Sequence, residues 1–360
     1  MGKPNAVSSN AVKSLAQQAA SAWWREAAIV PLGNGHIHQT FLVTVGATDE
    51  RFVLQQVNQR VFAEVQTMAL QTSLLLEHLA ADLEYAQAFT IVDAVPTRLG
   101  TMVHALDDQI WRAWRYVEQS RVLDPFTNQL QIESAANAFG AFQRSLADFK
   151  PRSWQPPIPG FLELSGYLQT YFQSVGDAAR DAVPAELATT VEANLGLVSA
   201  LGPERVFIHG DCKINNVLFA HDRDQAKAVI DLDTVGLGHW AWDFGDLVRS
   251  VAFSNGAIEL DQFGACVDGF SRGRGRYADA VETARQMSIA PAYIAFTLGV
   301  RFITDHLCGD EYFKVSARGE NMHRAREQLQ LLKQFNAQRT RLFECALSRL
   351  GVPPQSSDLR

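Results

Sequence analysis

Cysteine is scarce in this chain. Four residues, Cys212, Cys266, Cys308 and Cys345, are spread over 360 positions, and none belongs to a C-x-x-C pair. That spacing excludes the common paired-cysteine zinc frameworks. The N-terminal stretch MGKPNAVSSNAVKSLAQQAA lacks the apolar core of a secretory leader, so a reducing cytoplasm is the expected compartment. No run is expected to reach the apolar length of a membrane span, and no membrane partner is expected. Positive charge is also in short supply: 32 Lys and Arg stand against 39 Asp and Glu, a net charge of −7. A broad nucleic-acid footprint needs a basic face, so a nucleic-acid partner is not expected either.

What is present suits a soluble globular chain. Hydrophobic residues make up 47% of the chain, enough for a core, while its length calls for two lobes rather than one. The order of patterns supports two. Ala11 to Arg25 carries Leu15, Ala19, Ala22 and Trp23 at helical spacing. Three strand-like runs follow, AAIVPLG, QTFLVTV and RFVLQQV, then a helical segment from Val61 to Ala80. Pro96 to Val117 reads as a hairpin turning at Asp107-Asp108-Gln109, and Trp111, Trp114 and Tyr116 are expected to share a face of its second strand. Beyond Gln119 the character becomes helical: Ala136, Phe139, Phe142 and Leu146 recur at helical spacing, PRSWQPPIPG reads as an extended loop, and Leu162 to Ala200 is mostly helical.

The most informative stretch is Val206 to Asp233, VFIHGDCKINNVLFAHDRDQAKAVIDLD. Three apolar runs with polar punctuation read as a buried β-hairpin presenting acids at its ends. Phosphoryl transfer asks little covalent chemistry of a protein, but it needs a carboxylate beside the attacking hydroxyl and oxygen ligands for Mg²⁺. Asp211 can be that carboxylate. Asn216 can offer an amide oxygen from the same loop, and Asp231 can be a second metal ligand after the next strand. Mg²⁺ commonly takes only one or two protein oxygens, the rest coming from phosphate and water. Lys213 places a cation where it can face the transferring phosphate. The spacing H-x-D-x-K-x-x-N, with an Asp after an apolar run, is the catalytic-loop pattern of kinases. The competing reading is an acidic turn between core strands. Further on, Asp243 and Asp246 of GLGHWAWDFGD are expected to brace this loop and start a helix rather than bind metal.

Two features belong to the nucleotide side. Gly33-Asn34-Gly35 stands between the first two strands, where glycines let backbone N–H groups approach phosphate; a plain hairpin turn needs glycines as well. The third strand lacks the lysine that kinases direct at the α- and β-phosphates. It has Gln55 and Gln56 instead. Gln55 is either a neutral donor to the nucleotide or one of an inward and outward pair of strand residues. The missing charge also keeps a non-catalytic nucleotide-binding pseudokinase in view.

HGDCKINN with IDLDTVGLGHWAWDFGD resembles the aminoglycoside phosphotransferase and choline kinase superfamily, and within it the N-acetylhexosamine 1-kinase group. LGNGHIHQTFLV, the WR…YVE of the hairpin strand and RFITDHLCGDEYFKV at Arg301 to Val315 carry the same likeness, which runs from about Ile29 to about Leu332. His38 stands where that group usually has Asn, and Leu162 where it has His. The resemblance implies an α+β, bilobal protein-kinase-like fold: a nucleotide-binding lobe over 1–118 with an antiparallel sheet, and a mainly helical lobe over 119–360 with the catalytic loop and substrate site. It further implies ATP as co-substrate, Mg²⁺, and an N-acetylhexosamine accepting phosphate on its anomeric hydroxyl. Arg301 and Tyr312 would contact that sugar; an i,i+4 salt bridge to Asp305 is the other reading of Arg301. Other small hydroxyl acceptors, an aminoglycoside, choline, homoserine or a different sugar, remain as alternatives.

Overall fold

Alternating apolar residues build the antiparallel sheet of the N-terminal part. The computed structural model describes residues 9–33, 37–46, 48–123, 125–177, 182–254, 257–275 and 277–352. Asn34 and Gly35, expected on the nucleotide side, lie outside them. The chain forms two compact units, one from residues up to Glu77 together with Ile91–Glu118, the other from His78–Thr90 together with residues from Gln119 on.

In the first unit, helix α1 (Ser9–Ala20) precedes strands β1 (Ala27–Pro31), β2 (Gln39–Val45) and β3 (Arg51–Gln56). Helix α2 (Val65–Ala81) follows, belonging to this unit as far as Glu77, and then β4 (Ala94–Val95), β5 (His104–Leu106) and β6 (Gln109–Arg115). The sheet order is β1-β2-β3-β6-β4, with β5 also paired to β6. Phe41 and Val43, Phe52 and Leu54, and Trp111 and Ala113 join Ala16, Ala19 and Trp23 in one core. Side chains alternate along a strand. Thr40, Leu42, Val53, Gln55, Arg112 and Trp114 therefore occupy the opposite face. This corrects the expectation that Trp111 and Trp114 share a face: an odd separation puts them on opposite sides, and Trp111 is wholly buried in the core beneath α1. The β5–β6 hairpin turns at Asp107 and Asp108, with φ of 47° and 58°. Two consecutive positive φ values are what a two-residue hairpin of matching twist requires.

The second unit is mainly helical. It contains α3 (Leu83–Ala88), β7 (Ser120–Val122), α4 (Gln129–Ser145), α5 (Leu164–Asp177) and α6 (Ala185–Ala193). Then come β8 (Val206–Ile208), β9 (Val217–Ala220), β10 (Ala226–Val229), β11 (Gly236–Gly238) and α7 (Trp240–Val251). A short pair, β12 (Phe253–Ser254) and β13 (Ala257–Ile258), leads to α8 (Leu260–Arg274), α9 (Ala280–Leu307), α10 (Glu320–Ala337) and α11 (Arg339–Arg349). The hairpin read over Val206 to Asp233 is only partly as expected. β9 and β10 pair with each other, and β7 joins β9, but β8 leaves the hairpin and pairs with β11. Val206–Ile208 thus finds its partner beyond the hairpin, in Gly236–Gly238.

Small residues set the helix packing. A Cβ on Gly269 of α8 would collide with the backbone oxygen of Glu133 in α4, and one on Gly273 with that of Asn137. The two backbones approach as closely as they do because nothing stands between them. α9 changes one sequence expectation: it is 28 residues long, and its most apolar 18-residue window has a mean hydropathy of 1.4, enough by length and composition to cross a membrane. The most apolar window is 83% buried, however, and packs as the core helix of this unit.

Candidate active site

The site begins where β8 ends. His209 is wholly buried, edge-on to Phe139 and Phe142 at 5.3 and 5.6 Å. Its Nδ1 accepts the Asp211 N–H at 3.2 Å. The ring proton is thereby assigned to Nε2, which donates to the Ile230 carbonyl at 3.0 Å. Gly210 has φ of +85°, and a Cβ there would meet the Thr234 carbonyl at 2.7 Å and the Phe161 ring at 3.3 Å. Only glycine satisfies both the dihedral and the space. From α7, the Asp243 carboxylate accepts the N–H of His209 at 2.9 Å and of Gly210 at 2.8 Å, plus Gln143 Nε2 at 2.7 Å. Burial pushes the Asp243 carboxyl upward, while these donors and His209 pull against it. Asp243 thus braces the loop as expected. Asp246 instead holds Arg249 at 2.7 Å, and the residue capping α7 is His239, whose side chain accepts the Ala241 N–H.

Asp211 follows on this framework. One oxygen, Oδ1, lies 2.9 Å from Lys213 Nζ. The other, Oδ2, accepts Asn216 Nδ2 at 2.9 Å, and the same nitrogen donates to the Asp211 carbonyl at 2.8 Å. Burial would raise the Asp211 carboxyl, but the charge and hydrogen bond of Lys213, with His209 and Asn216, outweigh it and hold the group below the usual aspartate range. Lys213 is displaced upward in turn: burial lowers it, and Asp211 and Asp246 more than offset that. Both groups are therefore charged at neutral pH. Cys212 between them is wholly buried, and burial with the nearby carboxylates drives its thiol up, which leaves it unreactive.

Two hydrogen bonds deliver Asp231. Ile230 donates its N–H to the Asn216 carbonyl at 2.9 Å and receives His209 Nε2 on its own carbonyl. The next residue, Asp231, is exposed and adopts φ 64° and ψ 60°. A left-handed aspartate costs about 1 kcal/mol or more, and such conformations collect at functional sites. The loop thus gathers Asp211, Lys213 and Asn216 directly and fixes the backbone that carries Asp231. Because Asn216 turns its nitrogen toward two acceptors, its Oδ1 faces the other way and accepts no hydrogen bond from a described residue. An amide oxygen and an exposed carboxylate are hard donors of the kind Mg²⁺ prefers. Among the described residues no group of three or more His, Cys, Asp or Glu gathers to hold a metal alone.

Arg301 of α9 is 8% exposed. Its guanidinium lies 5.3, 5.0, 5.1 and 5.1 Å from the ring centres of Phe161, Tyr167, Tyr312 and Phe313. The i,i+4 salt bridge to Asp305 does not form. Asp305 is occupied by the N–H groups of Glu311, Tyr312 and Phe313 at 3.0, 2.7 and 3.0 Å, and by Asn321 Nδ2 at 2.7 Å. Those bonds fold the Tyr312 loop back onto the arginine. Arg301 makes no ion pair or hydrogen bond with a described residue, and four aromatic rings flank it. Phe161 is the link to the chemistry, since the ring that flanks Arg301 also packs on Gly210. Sequence reading missed Phe161 and Tyr167, because nothing in their local pattern separates a cage ring from a core ring. Leu162, standing where the resembled group has His, is buried with φ of 63° and is held by Tyr293 Oη on its carbonyl at 3.0 Å.

In the first unit Gly33 has φ of +68° with open space at its Cβ. Gln55 is engaged: its Oε1 accepts Arg112 Nε at 3.0 Å and Trp114 Nε1 at 2.9 Å, while its Nε2 lies 3.4 Å from Thr40 Oγ1.

A model of the phosphotransferase enzyme family matches residues 28–279. The chain belongs to that family. This phosphotransferase is therefore an enzyme that moves phosphate to hydroxyl groups of small molecules. Its architecture also resembles solved structures. A choline/ethanolamine kinase family protein from Mesorhizobium loti is 16% identical with a TM-score of 0.61, over 94% of this chain and 98% of that one. An aminoglycoside phosphotransferase from Alicyclobacillus acidocaldarius is 14% identical with a TM-score of 0.59, over 95% and 98%. A spectinomycin phosphotransferase solved with ADP and spectinomycin is 13% identical with a TM-score of 0.55, over 90% and 98%. Such identities speak to fold, and they establish the protein-kinase-like α+β fold for the phosphotransferase.

Proposed function

We propose that this phosphotransferase passes the γ-phosphate of ATP to a sugar hydroxyl, the anomeric hydroxyl of an N-acetylhexosamine. Nucleotide binding is assigned to the sheet unit through Gly33, Asn34, Gly35 and Gln55. Catalysis and acceptor binding are assigned to the helical unit. The ADP complex of the similar spectinomycin phosphotransferase supports a nucleotide donor. In this reading the ionised Asp211 accepts the hydrogen bond of the acceptor hydroxyl and orients its oxygen for attack. Lys213 holds Asp211 in position and adds positive charge beside it. Asn216 Oδ1 and Asp231 would hold Mg²⁺. When bound, that ion neutralises charge on the phosphate oxygens.

The observation that carries the acceptor assignment is Arg301, a cation within one aromatic ring of the catalytic loop and, among the described residues, without a carboxylate to neutralise it. Its five donors suit hydroxyl and N-acetyl oxygens, and Tyr312, 38% exposed, offers a ring and a hydroxyl beside it. The same charge repels an aminoglycoside or choline, which would need an acidic lining. The test is ADP release with ATP and a panel of N-acetylhexosamines, plain hexoses, aminoglycosides, choline and homoserine. Turnover concentrated on the N-acetylhexosamines is expected. Turnover confined to the cationic acceptors, or ATP binding with no turnover on any of them, would refute the assignment.

A further inference from the structure

We infer that Arg112 supplies the phosphate-directed cation that β3 lacks. This rests on the reading of the sheet unit as the nucleotide-binding one. A kinase places that charge on the third strand, and here the position is a neutral glutamine. The strand register puts Arg112 of β6 directly opposite Gln55, as Thr40 of β2 is on the other side. Directly paired residues project to the same face of a sheet, and this is the face opposite the core shared with α1, where Arg112 is 6% exposed. The two side chains meet there. Gln55 Oε1 takes the Arg112 Nε–H at 3.0 Å and the Trp114 indole N–H at 2.9 Å, and the guanidinium lies 5.2 Å from the Trp114 ring centre. A flexible side chain is thereby held in one plane before any ligand arrives, which lowers the ordering cost of binding. Gln55, besides its place in the nucleotide site, then positions the guanidinium, and the positive charge has moved one strand across the sheet. A guanidinium is a suitable replacement because its planar fork matches phosphate oxygens bidentately.

The alternative is an arginine that merely braces the sheet, and affinity ratios separate the two. ATP and adenosine binding are measured by calorimetry, with melting temperature as a fold control, for the wild type, Arg112→Lys, Arg112→Gln and Gln55→Lys/Arg112→Gln. Adenosine carries the base and ribose without phosphates. A charge-assisted contact to phosphate predicts that Arg112→Gln weakens ATP by about 10- to 100-fold and leaves adenosine within about twofold. Arg112→Lys should lose part of the ratio of ATP to adenosine affinity, and Gln55→Lys/Arg112→Gln should regain part of it, because the charge returns to the third strand. If both ligands weaken together in Arg112→Gln and Arg112→Lys, or if neither variant changes the ratio, the inference is overturned. Should Arg112→Gln fail to fold, Arg112→Lys alone decides on the same ratio. A wild type that binds ATP no better than adenosine removes the nucleotide reading itself, an outcome distinct from failure of Arg112. The acceptor plays no part in any of these measurements.

Discussion

At the scale of single residues, Asp211 is the group whose environment says most. A carboxylate held by an ammonium on one oxygen and an amide N–H on the other is a weak base, suited to aligning a hydroxyl whose proton leaves late. Asp211→Asn should lower kcat by about 10² to 10⁴, measured at a temperature where the variant remains folded. Lys213 tunes it. Because the Asp211 pKa is lowered, the carboxylate form persists below the ordinary aspartate value of about 4, so the acid limb of kcat/KM should fall below that pH. In Lys213→Met the largest opposing influence is gone while burial remains, so the limb should move up. A pH–rate profile of the two proteins reads this directly, and an unmoved limb would detach Lys213 from Asp211. Linkage has the matching sign: the depressed carboxyl stabilises the fold above its unfolded pKa, and that contribution disappears as pH falls through the folded value.

At the scale of elements, packing between helices is a sharper constraint than propensity. Gly269 stands mid-helix in α8, where alanine is ordinarily better by up to about 1 kcal/mol. The added methyl would strike the Glu133 carbonyl, which is backbone and cannot turn aside. Overpacking of this kind costs about 1–3 kcal/mol, so Gly269→Ala should be destabilising on balance in urea unfolding. Gly166→Ala in α5, with open space at the same position, should go the other way by several tenths of a kcal/mol. The elements also show where local pattern runs out. β9 and β10 were readable because they are joined by a short polar turn. The pairing of β8 with β11 was not, since Gly236–Gly238 has no strand-like composition and acquires its structure only from the edge it meets. Trp111 and Trp114 looked like companions until alternation separated them.

At the scale of the whole molecule, the metal question follows from what the chain does not assemble. Asn216 and Asp231 offer two oxygens, and no larger group of His, Cys, Asp or Glu gathers among the described residues. If the proposed Mg²⁺ binds there, phosphate and water oxygens would complete its shell. Calorimetric titration of Mg²⁺ into the protein alone should therefore show only weak binding, and affinity should appear when ADP or ATP is present. Chelator should abolish ADP release, and Asp231→Asn should raise the Mg²⁺ concentration for half-maximal turnover by about tenfold or more, the scale of a lost metal contact. Tight Mg²⁺ binding without nucleotide would contradict this division of ligands. The sequence alone determined the loop that gathers Asp211, Lys213 and Asn216, because they interact within a few residues and their spacing is enough to bring their side chains together. It also determined the family, for the same reason of local motif. Only the tertiary structure decided that Arg301 is enclosed by rings from α5, the Phe161 turn and the Tyr312 loop, and that Arg112 lies across from Gln55. Those relations depend on helix packing and strand register, which join residues far apart along the chain.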